Sequence, residues 1–165
     1  MLVTGRKLPI GIQTFEDIRN DGYLYVDKTA LMWTMANIGK PFFLSRPRRF
    51  GKSLLISTFE AYFKGRRDLF TGLAVEQLEK KWEEYPVLHL DLNAKKYGNS
   101  DDLLAMLNQH LEKWETVYGD EKRERSPEER FDYIIRRASE QCGCGVVVLV
   151  DEYDKPLLQA LGDDA

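Results

Sequence analysis

The chain has 165 residues, about one domain's worth at roughly 150 residues each, and enough to bury a real core. Hydrophobic residues make up 43% and charged residues 31%, with 8 Tyr, 8 Phe and 3 Trp, which excludes a disordered, collagen-like or miniature disulfide scaffold. A net charge of −3 is too close to balance to argue for nucleic acid or a membrane surface as partner.

After a Gly/Pro-broken start, the pattern predicts a short helix over 15–19, an extended segment over 23–26, and a helix from about 28 to 38. Asp27 is placed to cap that helix, Gly39 to end it and Pro41 to seal it. Residues 42–45 read as a short apolar strand. Residues 53–63 follow as a helix with Leu54, Leu55, Phe59 and Phe63 along one side. A helix is expected over 75–82. A strand over 87–92 then turns Val87, His89 and Asp91 one way and Leu88, Leu90 and Leu92 the other. Helical spacing returns over 101–118 through Leu104, Leu107, Leu111 and Trp114. A charged loop covers 119–126, and Pro127 opens a helix running to about Gly143. Val146–Val150 is a continuous β-branched run of the kind buried on both faces, and Asp154 with Pro156 opens a last helix. Strands alternating with helices argue for an α/β fold with a parallel sheet.

No aliphatic run exceeds five residues, whereas a membrane helix needs about 20 and a signal-peptide core about 7 to 15. The two cysteines, Cys142 and Cys144, are separated by one residue, which makes a mutual disulfide awkward. A reduced, cytoplasmic setting is therefore expected. A Cys-x-Cys half-site for zinc lacks a second Cys or His pair at ligand spacing, and the lone His89 and His110 read as structural.

Two motifs carry chemistry. Residues 42–53 run strand, turn, then Gly51-Lys52-Ser53 opening a helix, the architecture of a phosphate-binding loop. Such a loop curls successive N–H groups toward phosphate oxygens, with Gly51 allowing close approach and the helix N-terminus adding its dipole. Lys52 would reach the β- and γ-phosphates, and the Ser53 hydroxyl would ligate Mg²⁺. The usual pattern places a glycine where this chain has Arg46, followed by Pro47, so a strand–turn–helix corner with a solvated basic turn stands as the alternative. In the second motif, the strand 146–150 ends in Asp151 and Glu152. These are placed to hold Mg²⁺ through water and to polarise the attacking water, in the manner of a P-loop ATPase. Such a pair at the carboxyl edge of a parallel sheet lies where these sheets bind ligands. Asp91 could join the metal site through water or simply cap a loop.

The stretches Leu8-Pro-Ile-Gly-Ile-Gln-Thr-Phe-Glu-Asp-Ile-Arg19, Tyr25-Val-Asp-Lys-Thr29, Arg46-Pro-Arg-Arg-Phe-Gly-Lys-Ser53 and Val150-Asp-Glu-Tyr-Asp-Lys-Pro156 together resemble the AAA-ATPase-like family of bacterial P-loop proteins, often fused to a restriction-endonuclease-like nuclease domain. The resemblance implies a P-loop NTPase three-layer sandwich with a parallel sheet, of the additional-strand, catalytic-glutamate type. It makes 1–165 a partial ATPase domain, with 1–40 as a lead-in and 41–165 as the nucleotide-binding core. The chain ends soon after the Asp-Glu strand, so the expected form is truncated, lacks the next strand, and self-associates or is completed by a larger polypeptide. Implied ligands are ATP and Mg²⁺. Candidate nucleotide contacts are Arg48, Arg49, Phe50, Gly51, Lys52, Ser53 and Leu54, with Ser53 and Asp151 on metal and Lys52 and Glu152 catalytic. Arg46, Arg48 and Arg49 could grip phosphate, sit in solvent, or touch nucleic acid. Asp27, Lys28 and Thr29 could lie near base and ribose or simply cap a helix. The implied activity is slow ATP hydrolysis that switches a larger assembly. A non-hydrolysing nucleotide-dependent interaction module and a nucleic-acid-binding domain using the basic loop remain as alternatives.

Overall fold

Short helices of five to twelve residues are marginal on their own in water, so the first half of this chain depends on tertiary packing. The computed structural model describes residues 5–45, 50–93 and 99–155. The chain divides into two units, Met1–Glu84 and Tyr85–Ala165, each with its own core.

The first unit holds α1 (Phe15–Asn20), α2 (Thr29–Asn37), α3 (Lys52–Phe63), a 3₁₀ turn (Arg67–Phe70) and α4 (Ala74–Leu78). Its core gathers Phe15, Met32, Tyr62, Phe70 and Val75, with the Phe15 and Phe70 rings 4.8 Å apart and Phe70 and Trp82 5.3 Å apart. Rings at these separations add directional attraction to the area they bury. Polar staples fix the connections around this core. Arg19 donates through Nε to Leu69 O and through Nη2 to Thr71 O, both at 2.6 Å. Asp27 Oδ1 accepts from the Thr29 N–H at 2.8 Å and its hydroxyl at 2.7 Å, while Oδ2 accepts from the Ala74 N–H at 2.7 Å. Burial pushes the Asp27 carboxyl up, but these hydrogen bonds outweigh it and hold the group below its ordinary value.

Two expectations change here. Residues 42–45 form no ladder, and Phe42 and Phe43 stand exposed, because an apolar segment becomes a strand only beside a partner strand. The helix expected over 75–82 stops at Leu78, since Glu79 is extended and its carboxylate is drawn into the unit. Its Oε2 accepts from Tyr62 Oη at 2.5 Å and Trp33 Nε1 at 3.1 Å, and its Oε1 accepts from the Lys81 N–H at 2.9 Å.

The second unit runs β1 (Val87–Asp91), α5 (Ser100–Tyr118), α6 (Pro127–Cys142) and β2 (Val147–Asp151). The strands pair in parallel, Val87 opposite Val147 through Asp91 opposite Asp151, and α5 with α6 supplies the crossover that parallel strands require. Asn99 Oδ1 caps α5 by accepting from the Asp102 N–H at 3.0 Å, and Ser126 with Glu129 forms a capping box on α6 behind Pro127. Leu88, Leu111, Trp114 and Ile134 make the core. Beside it, Arg130 donates to both Glu115 oxygens at 2.7 and 2.9 Å and to Asn108 Oδ1 at 2.6 Å, out of water.

The α/β expectation holds at this level, as helices with a two-stranded parallel sheet. The expectation that β2 is buried on both faces does not, for Val148 and Val150 are 41% and 39% exposed while Leu149 is buried. The β-branched run satisfies the strand but finds cover for only part of its surface. Nor is the cysteine expectation met, because Cys142 and Cys144 are joined as a disulfide with Cα atoms 5.2 Å apart. Gly143 is left-handed (φ 66°, ψ 22°) and reverses the chain directly after α6, so the two side chains meet across a single residue. The last helix expected from Asp154 and Pro156 falls largely outside the described residues.

Candidate functional site

In the first unit, Gly51 sits at the N-cap of α3 with φ 75° and ψ 26°. An added Cβ would meet nothing within 4 Å there, so the demand for glycine is one of backbone conformation and not of space. Lys52, Ser53 and Leu54 follow as the first turn, and the Gly51 carbonyl accepts from the Leu55 N–H at 3.0 Å. First-turn amides have no carbonyl of their own helix to bond and carry the positive end of the macrodipole. This end of α3 is held in place by its own far side. Ser57 Oγ accepts from the Phe15 N–H at 2.9 Å, and Leu54, Leu55 and Phe59 pack on the core. Phe50 is exposed, and Arg46, Arg48 and Arg49 lie outside the described residues.

In the second unit, the carboxyl ends of β1 and β2 bring Asp91 and Asp151 into register as neighbours. Asp151 is buried, and its Oδ1 accepts from the Glu152 N–H at 2.9 Å. Glu152 is left-handed at φ 54°, a conformation costly for a residue with a Cβ and one that turns the chain sharply off the strand end. Asp91 Oδ1 accepts from the Asn93 N–H at 2.9 Å, so one oxygen of this carboxylate serves the turn after β1. Among the described residues no group of three or more His, Cys, Asp or Glu forms a metal cage. Mg²⁺ carried with phosphate needs only one or two protein oxygens besides water, and a carboxylate with a hydroxyl is the hard-oxygen set it takes.

Two neighbours of these acids escape a reading of spacing alone. Lys155 Nζ donates to Asn93 Oδ1 at 2.6 Å, tying the turn after β2 to the turn after β1 across 62 positions of sequence. The His110 ring meets the Asp91 carbonyl through Nε2 at 3.0 Å and packs on Trp114. Their only sequence signals were the Asp-Lys-Pro that follows Glu152 and a histidine on the inner side of a helix. Asp27 and Thr29 are structural where they are described, locking α2 to the start of α4, with Thr29 Oγ1 also accepting from the Val75 N–H at 3.1 Å.

A model of the AAA-ATPase-like family, described as a predicted AAA-ATPase, matches residues 9–165. The chain belongs to this family. It is also 42% identical over 160 residues to an uncharacterized protein from the vnfD 5′ region of Azotobacter chroococcum mcd 1, an alignment covering 94% of this chain. The chain spans 30% of that relative's length. No solved structure is significantly similar to the chain. Membership in an AAA-ATPase-like family suggests a nucleotide-binding module with ATP and Mg²⁺ dependence. No helix among the described residues is long and apolar enough to cross a membrane.

Proposed function

We propose that this chain is an ATP–Mg²⁺-binding P-loop module that hydrolyses ATP slowly and so switches a larger assembly. The observation that carries the reading is the left-handed Gly51 delivering Lys52 and Ser53 into the first turn of α3, within a member of an AAA-ATPase-like family. In this reading the Lys52 ammonium neutralises β- and γ-phosphate oxygens while amides of the 50–54 segment, with Arg48 and Arg49 before it, cradle the phosphates. Ser53 Oγ in the first unit and the Asp151 carboxylate in the second are the hard oxygens assigned to Mg²⁺, which would supply charge neutralisation on the phosphates when bound. Glu152, directly after the metal acid, orients water and accepts its proton. The left-handed backbone at Glu152 supports this role, because strain of this kind gathers at functional sites. The exposed Phe42 and Phe43 of the first unit and, separately, Val148 and Val150 of the second support a further part of the reading, that a second copy or a larger polypeptide covers exposed apolar side chains in each unit.

The deciding experiment is calorimetric titration with Mg-ATP. Lys52→Ala is expected to weaken binding about tenfold to a hundredfold, the range for losing a charge-assisted hydrogen bond to phosphate. Equal affinity in wild type and variant would reject the phosphate-loop assignment. Glu152→Gln is expected to leave binding within about twofold while abolishing phosphate release, since an amide keeps the shape but accepts no proton. Equal release by both proteins would show that Glu152 is not the base, and binding with no release by either would favour the non-hydrolysing interaction module.

A further inference from the structure

Cys142 and Cys144, the only cysteines in the chain, lie outside everything assigned above. We propose that this Cys-Gly-Cys pair at the α6–β2 connection is a reversible thiol–disulfide exchange site, accepting small disulfides of the glutathione class as oxidant and the matching thiol as reductant.

Four observations carry this. The pair closes across a single left-handed glycine with Cα atoms 5.2 Å apart, inside the range a disulfide spans without moving the backbone. Partner sulfurs held one residue apart reach each other at a far higher effective concentration than any external thiol can match. The site is open: Cys142 is exposed and Cys144 half-buried, in contrast to the enclosed position of an inert structural cysteine. The local frame is held independently of the sulfurs, since Ser139 Oγ donates to Cys144 O at 2.7 Å and the Gly143 N–H donates to Ser139 O at 2.9 Å. Both thiols are therefore presented together before the bond forms. Finally, the Cys144 N–H points at Cys142 Sγ at 3.0 Å. Cys142 is also the more exposed of the two, so its sulfur is the one a small disulfide meets first.

The exchange balances in two steps. The Cys142 thiolate attacks one sulfur of the small disulfide, forming a mixed disulfide and expelling one thiolate. The Cys144 thiolate then attacks Cys142 Sγ, forming the Cys142–Cys144 bond and expelling the second thiolate. Two protein thiols are oxidised, one small disulfide is reduced to two thiols, and the protons pass to solvent and the leaving thiolates. The bond closes the turn directly before β2, whose other end carries Asp151.

The test equilibrates the full reduced chain with oxidised and reduced glutathione over a range of ratios, traps thiols with a maleimide after acid quenching, and reads intact mass. Wild type should pass from two trapped thiols to none with rising oxidised glutathione, with glutathione adducts below about a tenth of the product, and return to two thiols in excess reduced glutathione. Cys142→Ser and Cys144→Ser should instead accumulate a glutathione adduct as the main product. Two thiols persisting in excess oxidised glutathione would overturn the proposal. So would chains cross-linked to one another, wild type as heavily adducted as the Ser variants, or a bond that excess reduced glutathione cannot open. None of these readouts depends on nucleotide binding.

Discussion

The first unit is held by aromatic rings and short polar staples around helices too brief to stand alone, whereas the second is held by two long capped helices, a strand pair and a buried ion pair. The difference teaches where each unit is vulnerable. Non-directional burial tolerates loss of one contact better than a desolvated charge pair, in which removing either partner strands the other.

The largest effect is therefore expected in the second unit. Glu115→Ala takes both carboxylate contacts from the buried Arg130, leaving its bond to Asn108, and should cost about 3–5 kcal/mol by urea unfolding. Replacing the pair together, Glu115→Leu with Arg130→Met, should recover most of that loss. If the double replacement is as damaging as the single one, the ion pair gives something an apolar pair cannot, and the contrast between the units narrows. In the first unit, Gly65 (φ 67°) leaves room for no Cβ, which would fall 2.6 Å from Cγ of Glu84. Gly65→Ala should cost about 1–3 kcal/mol, from left-handed strain plus the shift of a flexible side chain. An unchanged urea midpoint would show that this turn is not held as described.

Next comes a cap. Ser126→Ala removes the acceptor for the Glu129 N–H and should cost about 1 kcal/mol, with loss of far-UV helix signal on heating as the readout. The smallest effect concerns pH and returns to the first unit. Burial pushes the Glu79 carboxyl up, but hydrogen bonds from Tyr62, the Lys81 N–H and Trp33 overcome this and hold it at about 2, below its ordinary 4.5. A depressed carboxyl contributes stability that is whole above the unfolded value and lost as pH falls toward the folded one. The gap in urea midpoint between wild type and Glu79→Gln should therefore be widest near neutrality and shrink between about pH 5 and pH 2. A gap independent of pH would mean that the Tyr62 and Trp33 donors serve the amide equally well.

Local chemistry was enough to read α1, α2, α5 and α6, because their glycine stops and apolar spacing, and the caps of α5 and α6, lie within a few residues of one another; at α2 the N-cap is Lys28 and not the expected Asp27, which accepts instead from the Thr29 and Ala74 N–H groups. The pattern over 101–118 and the Ser-Pro-Glu-Glu that opens α6 needed no distant partner to be recognised. Both strand-ending acids, Asp91 and Asp151, and the Gly51-Lys52-Ser53 turn were legible for the same reason. The expected helix over 53–63 and strands over 87–92 and 146–150 also match α3, β1 and β2 to within about a residue, and long-range partners settled what remained. Whether an apolar run is a strand depends on a neighbour, so Val147–Asp151 pairs with Val87–Asp91 while 42–45 forms no ladder. The helix after Ala74 ends early because Trp33 and Tyr62, far off in sequence, claim the Glu79 carboxylate. The Lys155–Asn93 bridge joins turns that periodicity cannot relate, and the cysteines meet because Gly143 adopts a left-handed turn that spacing rules do not register. In each of these cases the missing information was a contact between distant residues or a backbone reversal, and neither leaves a period in the chain.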